Sequence, residues 1–403
     1  MRVLFFAPAP SLRNPNMAPF ILQRIRELQK KGVYVEVLQF GNLRRRKLSF
    51  SGRRGIARIV ENALIVPLHL LKKLFFPTFA FGMQYSRNGT SYIYYNQIDY
   101  ESPEDFLAWF RKKKFDLIHA HFLWYAKPLP ELKERFGIPY AVTVHGSDVH
   151  DTLRACESVK KQYASIMNAA DAVTFVSGYL KHACEQFGYC GKNGSVIYNG
   201  FDPAIFFPRR LEPHGDKPVL GFVGHTIHVK RVDILADVLF LVQKRFPHAR
   251  LCIVGFAENP ADDLVPQLKK RAAELGVENV ITFAGKVLPE NIPDYMNTFD
   301  VLLFPSRMEG LGCVALEAQA CGVGVVGSAN GGIPEAIGKN GTVVPESEHF
   351  TEDFSAAVTD YLSNPIPSEK ITSRAKDFTW ESCAAKELAI YQKAISHTGE
   401  NSV

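Results

Sequence analysis

Short apolar runs alternate with amphipathic segments along most of this 403-residue chain. The apolar runs are rich in valine, isoleucine, leucine and phenylalanine, which is typical of buried strands in a parallel sheet. In the first half the predicted strands span residues 3–6, 33–40, 117–120, 140–144, 172–176 and 196–198, and the first predicted helix spans residues 18–31.

Near residue 200 the alternation gives way to a stretch rich in turn-forming residues. A second series follows, with predicted strands at 219–223, 251–254, 280–283, 301–304, 324–327 and 341–344 and predicted helices at 232–245, 263–275 and 380–395. Two βαβ series joined by one linker predict an α/β protein with two Rossmann-like, doubly wound domains that face each other across a cleft. The predicted domains span residues 1–205 and 206–380, followed by a helical segment at 381–403.

The net charge of +6 conceals an asymmetry between the halves. Residues 1–205 carry 28 basic and 16 acidic side chains, whereas residues 206–403 carry 19 and 25. Much of the excess surrounds a basic and apolar insertion near 42–83, which fits either an anionic membrane surface or a core helix with a solvated basic face. No uncharged stretch reaches the ~20 residues that span a bilayer, and no recognised motif suggests a nucleic-acid partner.

The seven cysteines are scattered and include no Cys-x-x-Cys pair. Neither a disulfide framework nor a zinc site is therefore indicated, which suits a reducing cytoplasm.

The densest candidate chemistry lies at residues 305–317, which read Pro-Ser-Arg-Met-Glu-Gly-Leu-Gly-Cys-Val-Ala-Leu-Glu. Two carboxylates, Glu309 and Glu317, flank the turn between a predicted strand and a predicted helix. Such a turn exposes backbone N–H groups at a helix N-terminus, where anionic or hydroxyl-rich ligands bind. In open α/β sheets, ligands also bind at the carboxyl ends of strands, which is where this turn lies.

This segment, with the later Gly331-Gly332-Ile-Pro-Glu335, resembles the nucleotide-sugar half of the retaining GT-B glycosyltransferases of family 4. Further pieces of the family pattern follow in order at residues 116–121, 143–148, 170–177 and 198–202. The resemblance implies a GT-B fold whose last helix crosses back to the N-terminal domain. It also implies transfer of a hexosyl-type sugar from a nucleotide-sugar donor.

The resemblance assigns Glu317 to the ribose hydroxyls of the donor and Glu309 to the transferred sugar, together with N–H groups around Gly310, Leu311 and Gly312. A carboxylate can accept from both ribose hydroxyls, and each charge-assisted hydrogen bond contributes ~1.5–3 kcal/mol.

Lys230 occupies the family's phosphate-binding lysine position, and His225 stands where many relatives have arginine. Because a neutral imidazole has one donor and no fixed charge, three interpretations stay open. Either His225 binds phosphate partly protonated, or Arg231 compensates, or diphosphate stabilisation is weaker. Backbone near Gly285 and Val287 is expected to contact the base.

His121 matches the family's active-site histidine, and His145 at the end of the next predicted strand is a second candidate. With Glu309 they form the predicted catalytic set. The chain contains no Asp-x-Asp sequence, the spacing by which metal-dependent glycosyltransferases hold a cation. The expected transfer is therefore metal-independent, with Lys230 and helix N-termini stabilising the diphosphate, and it retains the anomeric configuration. No cofactor is expected besides a UDP- or GDP-linked donor.

These features predict an enzyme of cell-surface polysaccharide biosynthesis, such as capsule, exopolysaccharide or lipopolysaccharide, acting on a glycan or lipid-linked glycan. Its expected place is the cytoplasm or the inner face of the plasma membrane. Two alternatives stay open: a nucleotide-sugar epimerase of the same fold, which needs no acceptor, and a non-catalytic partner subunit of a transferase, which His225 favours.

Overall fold

The computed structural model describes residues 1–8, 18–39, 83–87, 90–96, 110–209 and 214–400. The predicted insertion near 42–83 lies outside these residues except for Met83. The described residues divide into two compact units. Unit 1 comprises those within Met1–His121, Tyr125–Ala141 and Ala394–Val403, and unit 2 comprises Phe122–Trp124 and Val142–Lys393.

The strands have the following bounds: β1 Arg2–Phe6, β2 Tyr34–Gln39, β3 Met83–Arg87, β4 Thr90–Asn96, β5 Leu117–His121, β6 Tyr140–Val144, β7 Ala172–Phe175, β8 Gly194–Val196, β9 Val219–Val223, β10 Arg250–Val254, β11 Ile281–Gly285, β12 Val301–Phe304, β13 Gly324–Ser328 and β14 Gly341–Val344.

The α-helices with the following bounds connect or flank them: α1 Pro19–Lys30, α2 Leu129–Phe136, α3 Ser147–Leu153, α4 Glu157–Ala169, α5 Gly178–Glu185, α6 Leu235–Gln243, α7 Val265–Leu275, α8 Ile292–Met296, α9 Cys313–Ala320, α10 Ile333–Ile337, α11 Phe350–Ser363, α12 Ser368–Ala375 and α13 Trp380–Glu400. None of the helices in the described residues combines the length and the apolar character needed to cross a membrane.

The first sheet has the strand order β3-β4-β2-β1-β5-β6-β7-β8. β1 pairs in parallel with both β2 and β5, while β3 is antiparallel to β4. β6 begins in unit 1 and ends in unit 2, which also holds β7 and β8. β1, β5, β6 and β7 are almost wholly buried, as expected for strands covered on both faces.

The second sheet lies in unit 2 and has the order β11-β10-β9-β12-β13-β14, with parallel pairing throughout. Its apolar strands pack against α6, α7 and α11 in one hydrophobic core. The chain starts in the centre at β9, runs outward to β11 and returns through β12. Such a doubly wound order leaves a crevice at the carboxyl ends of β9 and β12, where the winding reverses. Two such sheets confirm the predicted α/β class.

Two strand predictions need correction. The antiparallel pair of β3 and β4 was not expected, although Asn88-Gly89 between them is a strong hairpin signal. The strand predicted at 196–198 is Gly194–Val196 instead, and pairs with β7 through Gly194 and Val196. Glycine is required there because a Cβ on Gly194 would overlap the hydroxyl of Tyr189.

Candidate functional site

Two loops meet where β9 and β12 end. One runs from Gly224 into the 3-10 turn His228–Lys230, and the other leads from β12 to α9. The backbone N–H of Arg307 donates to the carbonyl oxygen of Val229 at 2.8 Å, which fixes the second loop to the first. Beside this bond, Nζ of Lys230 forms an ion pair with the carboxylate of Glu309.

The ion pair is largely shielded from water, since the Lys230 side chain is 23% exposed and that of Glu309 is 14% exposed. Coulomb attraction in such surroundings exceeds that of a fully exposed pair, which contributes little. The structure thus brings together the predicted phosphate-binding lysine and the first glutamate of the segment, directly at the switch point of the sheet.

Close backbone contacts hold the Glu309-Gly310 peptide on two sides. The N–H of Gly332 donates to the carbonyl oxygen of Glu309 at 3.0 Å, and Ser177 Oγ donates to the carbonyl oxygen of Gly310 at 2.6 Å. A Cβ on Gly310 would overlap the carbonyl oxygen of His145, and one on Gly332 would overlap that of Gly310. Glycine is therefore required by packing at both positions.

Helix α9 begins directly after this loop. Gly312 adopts φ 95°, a left-handed conformation that favours glycine, and no described side chain caps the helix. Leu311 is buried and anchors the turn, so its role in packing is clear, whereas the predicted role of its N–H toward the donor stays a prediction.

Glu317 lies one turn into α9 and differs from Glu309 in its surroundings. It is partly buried, and its carboxylate makes no hydrogen bond or ion pair with any residue that the structure describes. Burial raises the pKa of Glu317 to about 7. A desolvated carboxylate without a partner is unfavourable unless a ligand supplies donors, which is what a ribose diol does.

His225 lies near Lys230 on the loop after β9. Its ring meets Phe256 edge-on, with centroids 5.6 Å apart, and Lys286 Nζ lies 4.5 Å from the centroid of the same phenylalanine. Burial, and after it the positive charge of Lys230, lower the pKa of His225. Both effects favour the neutral form of the imidazole.

Arg231 is engaged elsewhere. Its two terminal nitrogens donate to the two carboxylate oxygens of Glu346, both at 2.8 Å, and its guanidinium lies 4.0 Å from the ring centroid of Phe350. The pairing is bidentate, the strongest arrangement available to arginine. The donor role that the sequence predicts for Arg231 would require this pair to break.

Glycines at the ends of neighbouring strands form the rest of the crevice floor. A Cβ on Gly255 would overlap the carbonyl oxygen of Gly224, and the N–H of Gly255 donates to the carbonyl oxygen of Gly285 at 2.9 Å. Gly285 has φ 67° at the end of β11, and the partly buried Val287 follows two residues later. The predicted base contacts of Gly285 and Val287 stay predictions.

His145 follows β6 and is held through its backbone. Oδ1 of buried Asp148 accepts from the N–H groups of His145 and Gly146, at 3.2 and 2.8 Å, while Oδ2 accepts from the N–H of Leu123 at 3.1 Å. Burial raises the pKa of Asp148 to about 6, against the lowering effect of these donors. The His145-Gly146 turn in turn contacts Gly310, so the structure places predicted catalytic His145 next to the loop that carries Glu309.

His150 was not predicted from the sequence. This α3 residue has a buried Nε2 with no hydrogen-bond partner among the described residues. Burial lowers the pKa of His150, and nearby Glu309 partly opposes that effect. Its position five residues after His145, on the helix that the turn starts, was the available signal.

His121 ends β5 in unit 1 and is wholly buried. Its ring centroid lies 4.6 Å from that of Phe5 and 4.2 Å from that of His119. Its predicted catalytic role stays a prediction.

Glu335 was not among the predicted site residues either. Its carboxylate oxygens accept from the N–H groups of Gly178 and Tyr179, both at 2.7 Å, and from the hydroxyl of Tyr198 at 3.1 Å. A carboxylate at the N-terminus of α5 satisfies free donors and complements the helix dipole. Glu335 thus joins α10 to α5.

In the part of the chain that the structure describes, no three side chains of histidine, cysteine, aspartate or glutamate come together as a metal site would need.

Two family models match adjoining parts of the chain. Residues 17–205 match the profile described as Glycosyltransferase Family 4, and residues 205–378 match the one described as Glycosyl transferases group 1. A curated relative, D-inositol 3-phosphate glycosyltransferase of Stackebrandtia nassauensis, is 28% identical over 304 residues, covering 70% of this chain and 69% of the relative.

Solved structures share the fold. Sucrose-phosphate synthase from Thermosynechococcus elongatus aligns with a TM-score of 0.70 and 18% identity, over 98% of this chain and 100% of that chain. Anabaena HepE in complex with UDP-glucose aligns with a TM-score of 0.64 and 19% identity, over 99% of this chain and 100% of that chain. With its two doubly wound sheets and its matches to both profiles, the chain belongs to the family 4, group 1 glycosyltransferases of the GT-B fold.

Proposed function

We propose that this glycosyltransferase is a retaining, metal-independent enzyme that moves a sugar from a UDP- or GDP-linked donor to a glycan or lipid-linked glycan of the cell surface. One observation carries the proposal. At the switch point of the second sheet, the Lys230–Glu309 pair is followed, one turn into the next helix, by Glu317, a carboxylate with no partner among the described residues. In this proposal Lys230 binds the diphosphate, Glu309 binds the transferred sugar and Glu317 binds the ribose.

Lys230 and Glu309 hold each other when no donor is bound. In the proposed reaction the diphosphate attracts Lys230, because its two phosphates together carry two negative charges whereas a carboxylate carries one. Glu309 is then released toward the hydroxyl groups of the transferred sugar. The exchange of partners keeps Lys230 charged and compensated throughout.

In the proposed chemical step, the bond between the anomeric carbon and the diphosphate oxygen breaks, and the acceptor hydroxyl attacks from the same face. A diphosphate oxygen takes the hydroxyl proton. Lys230 stabilises the negative charge that develops on the leaving group, as preorganised charges do in transition states. No enzymic carboxylate is assigned as a covalent nucleophile.

Thermal unfolding in the presence of nucleotides tests the donor assignment. The probes are UDP, GDP, UDP-glucose, UDP-galactose, UDP-N-acetylglucosamine and GDP-mannose, each with and without EDTA. A ligand at 100 times its dissociation constant stabilises by ~2.7 kcal/mol. We expect one nucleotide class to stabilise the protein equally with EDTA, and Lys230→Met to lose about 10- to 100-fold in affinity, since a charge-assisted contact contributes ~1.5–3 kcal/mol.

Arg271→Met is the matched control, because Arg271 also pairs with carboxylates, Asp237 and Glu274, but outside the crevice. No stabilisation by any of the probes, or equal affinity loss in both variants, would contradict the proposal. Transfer of label to membrane glycolipid extracts and to inositol 3-phosphate, the acceptor named for the curated relative, then separates a transferase from an epimerase.

A further inference from the structure

Two aromatic side chains, Phe122 and Trp124, form what is called here the aromatic platform. Their rings stack with centroids 4.8 Å apart and an interplanar angle of 7°. The ring of Phe122 also lies 4.6 Å from that of His145. The platform faces water, since Trp124 is 38% exposed.

The backbone under the platform adopts a costly conformation. Phe122 has φ 76°, which is unusual for a bulky residue and persists only where surrounding contacts impose it. Its own N–H donates to the carbonyl oxygen of Thr143 at 2.9 Å, and the next N–H, of Leu123, donates to Asp148. Leu123 and Tyr125 are buried on either side, so the 3-10 turn Leu123–Tyr125 presents Trp124 outward.

Asp148 links the platform to the donor loop. One carboxylate oxygen holds Leu123 in the platform turn, while the other holds His145 and Gly146. The His145-Gly146 turn packs closely against Gly310: a Cβ added to Gly146 would lie only 2.8 Å from the Cα atom of Gly310. A single buried carboxylate therefore fixes the platform relative to the loop that carries Glu309.

We propose that the aromatic platform is an acceptor subsite on which a sugar ring of the acceptor stacks through its C–H face. The inference rests on the proposed function and adds the chemistry of the acceptor. The π face of an aromatic ring is electronegative, and the axial C–H bonds of a pyranose carry positive partial charge, so the two surfaces are complementary. The side chain of Trp124 is wide enough for one ring, and because one of its faces is stacked on Phe122, the sugar ring would take the opposite face.

Saturation-transfer NMR with methyl glycosides of glucose, galactose, mannose and N-acetylglucosamine tests the subsite without requiring turnover. We expect the wild-type protein and Trp124→Phe to transfer saturation to ring C–H protons of at least one glycoside. Trp124→Ala should weaken that binding about tenfold, as expected for loss of an aromatic stacking partner. Phe240→Ala is the matched control, because Phe240 on α6 is also 38% exposed.

Three results would overturn the subsite: no transfer from the wild-type protein to any glycoside, equal signals from Trp124→Ala and Phe240→Ala, or loss of binding in Trp124→Phe equal to that in Trp124→Ala. Stabilisation by UDP or GDP is measured on the same samples. If neither nucleotide stabilises the wild-type protein, the proposed function fails. If one does and the glycoside signals do not depend on Trp124, only the acceptor subsite fails.

Discussion

The two glutamates of the segment at 305–317 have opposite electrostatic surroundings. Glu309 is paired with Lys230, whereas Glu317 has no partner among the described residues and burial raises its pKa to about 7. The family resemblance predicted that both bind the donor. Only the structure shows that one carboxylate has a cationic partner and that the other has none among the described residues.

The raised pKa of Glu317 predicts a pH-dependent stability. The folded protein binds the proton more tightly than the unfolded chain, so the free energy of unfolding falls as pH rises from about 4.5 to about 7. Glu317→Gln removes this loss and should raise the free energy of unfolding by about 1–3 kcal/mol at pH 8, but hardly at pH 4.5. Denaturant unfolding at both pH values measures it, with exposed Glu348→Gln as control. A difference that is the same at both pH values would refute the assignment.

His225 should take up a proton when a diphosphate binds. Its pKa is lowered in the free protein, first by burial and then by Lys230, and a phosphate anion acts in the opposite direction. We compare the UDP affinity of the wild-type protein with that of His225→Gln. The ratio of the two affinities should be close to one at pH 8 and about five at pH 6, because a charged donor adds ~1 kcal/mol over a neutral one.

Calorimetric titration of both proteins with UDP at both pH values gives this ratio. Because both proteins contain Glu317, the pH dependence that Glu317 adds to UDP binding cancels in the ratio. His225→Arg should bind UDP more tightly than the wild-type protein at pH 8. A ratio that does not change with pH would show that His225 does not contact the diphosphate.

Candidate functional residues could be identified from the sequence by residue type and spacing. The residues with which they form ion pairs and hydrogen bonds, far away in the sequence, could not. Arg231 follows Lys230 and appeared able to compensate for His225, yet Glu346, 115 residues away, binds it. Likewise, nothing near Glu335 in the sequence indicates that it binds the N-terminus of a helix more than 150 residues earlier. Such pairings depend on how the elements pack, and periodicity carries no information about that.

At the scale of elements, hydrophobic alternation predicted most buried strands because they are continuous apolar runs. The alternation did not predict strands whose position depends on a backbone conformation or on a close approach of two residues. β8 includes Gly194, which sequence patterns count against a strand but which the hydroxyl of Tyr189 requires. The hairpin of β3 and β4 was not predicted, because the apolar segment before it was interpreted as part of a basic and apolar insertion. The Asn88-Gly89 sequence was the available signal for the hairpin.

The contact between α10 and α5 gives a prediction at this scale. Glu335→Gln keeps one acceptor oxygen but removes the charge that two backbone N–H groups and the α5 dipole stabilise. We expect the free energy of unfolding to fall by about 1–2 kcal/mol, the range found for helix caps. Chemical denaturation of this variant and of exposed Glu348→Gln provides the comparison. Equal stabilities would show that the Glu335 carboxylate does not cap α5.

At the scale of the whole molecule, most of the basic residues belong to the N-terminal half, whose insertion near 42–83 lies outside the described residues except for Met83. We expect this half to bind an anionic membrane surface, where each basic residue contributes ~1 kcal/mol. Replacing Arg44, Arg45 and Arg46 by glutamate should abolish co-flotation with vesicles that contain anionic lipid, and added salt should do the same to the wild-type protein. Unchanged flotation would exclude this contact.

The two-sheet architecture could be predicted from the order of apolar runs. The acceptor could not, because its recognition depends on surface side chains such as Trp124, whose exposure and stacking appear only in the folded chain.

The stereochemistry of sugar transfer tests the central claim most directly. The nucleotide sugar that stabilises the protein is supplied with a 13C label at the anomeric carbon, and NMR follows the first product formed in the presence of EDTA. The account predicts that the product has the anomeric configuration of the donor and that Lys230→Met forms it more slowly. A product of inverted configuration, or a reaction that EDTA stops, would contradict a retaining, metal-independent transferase.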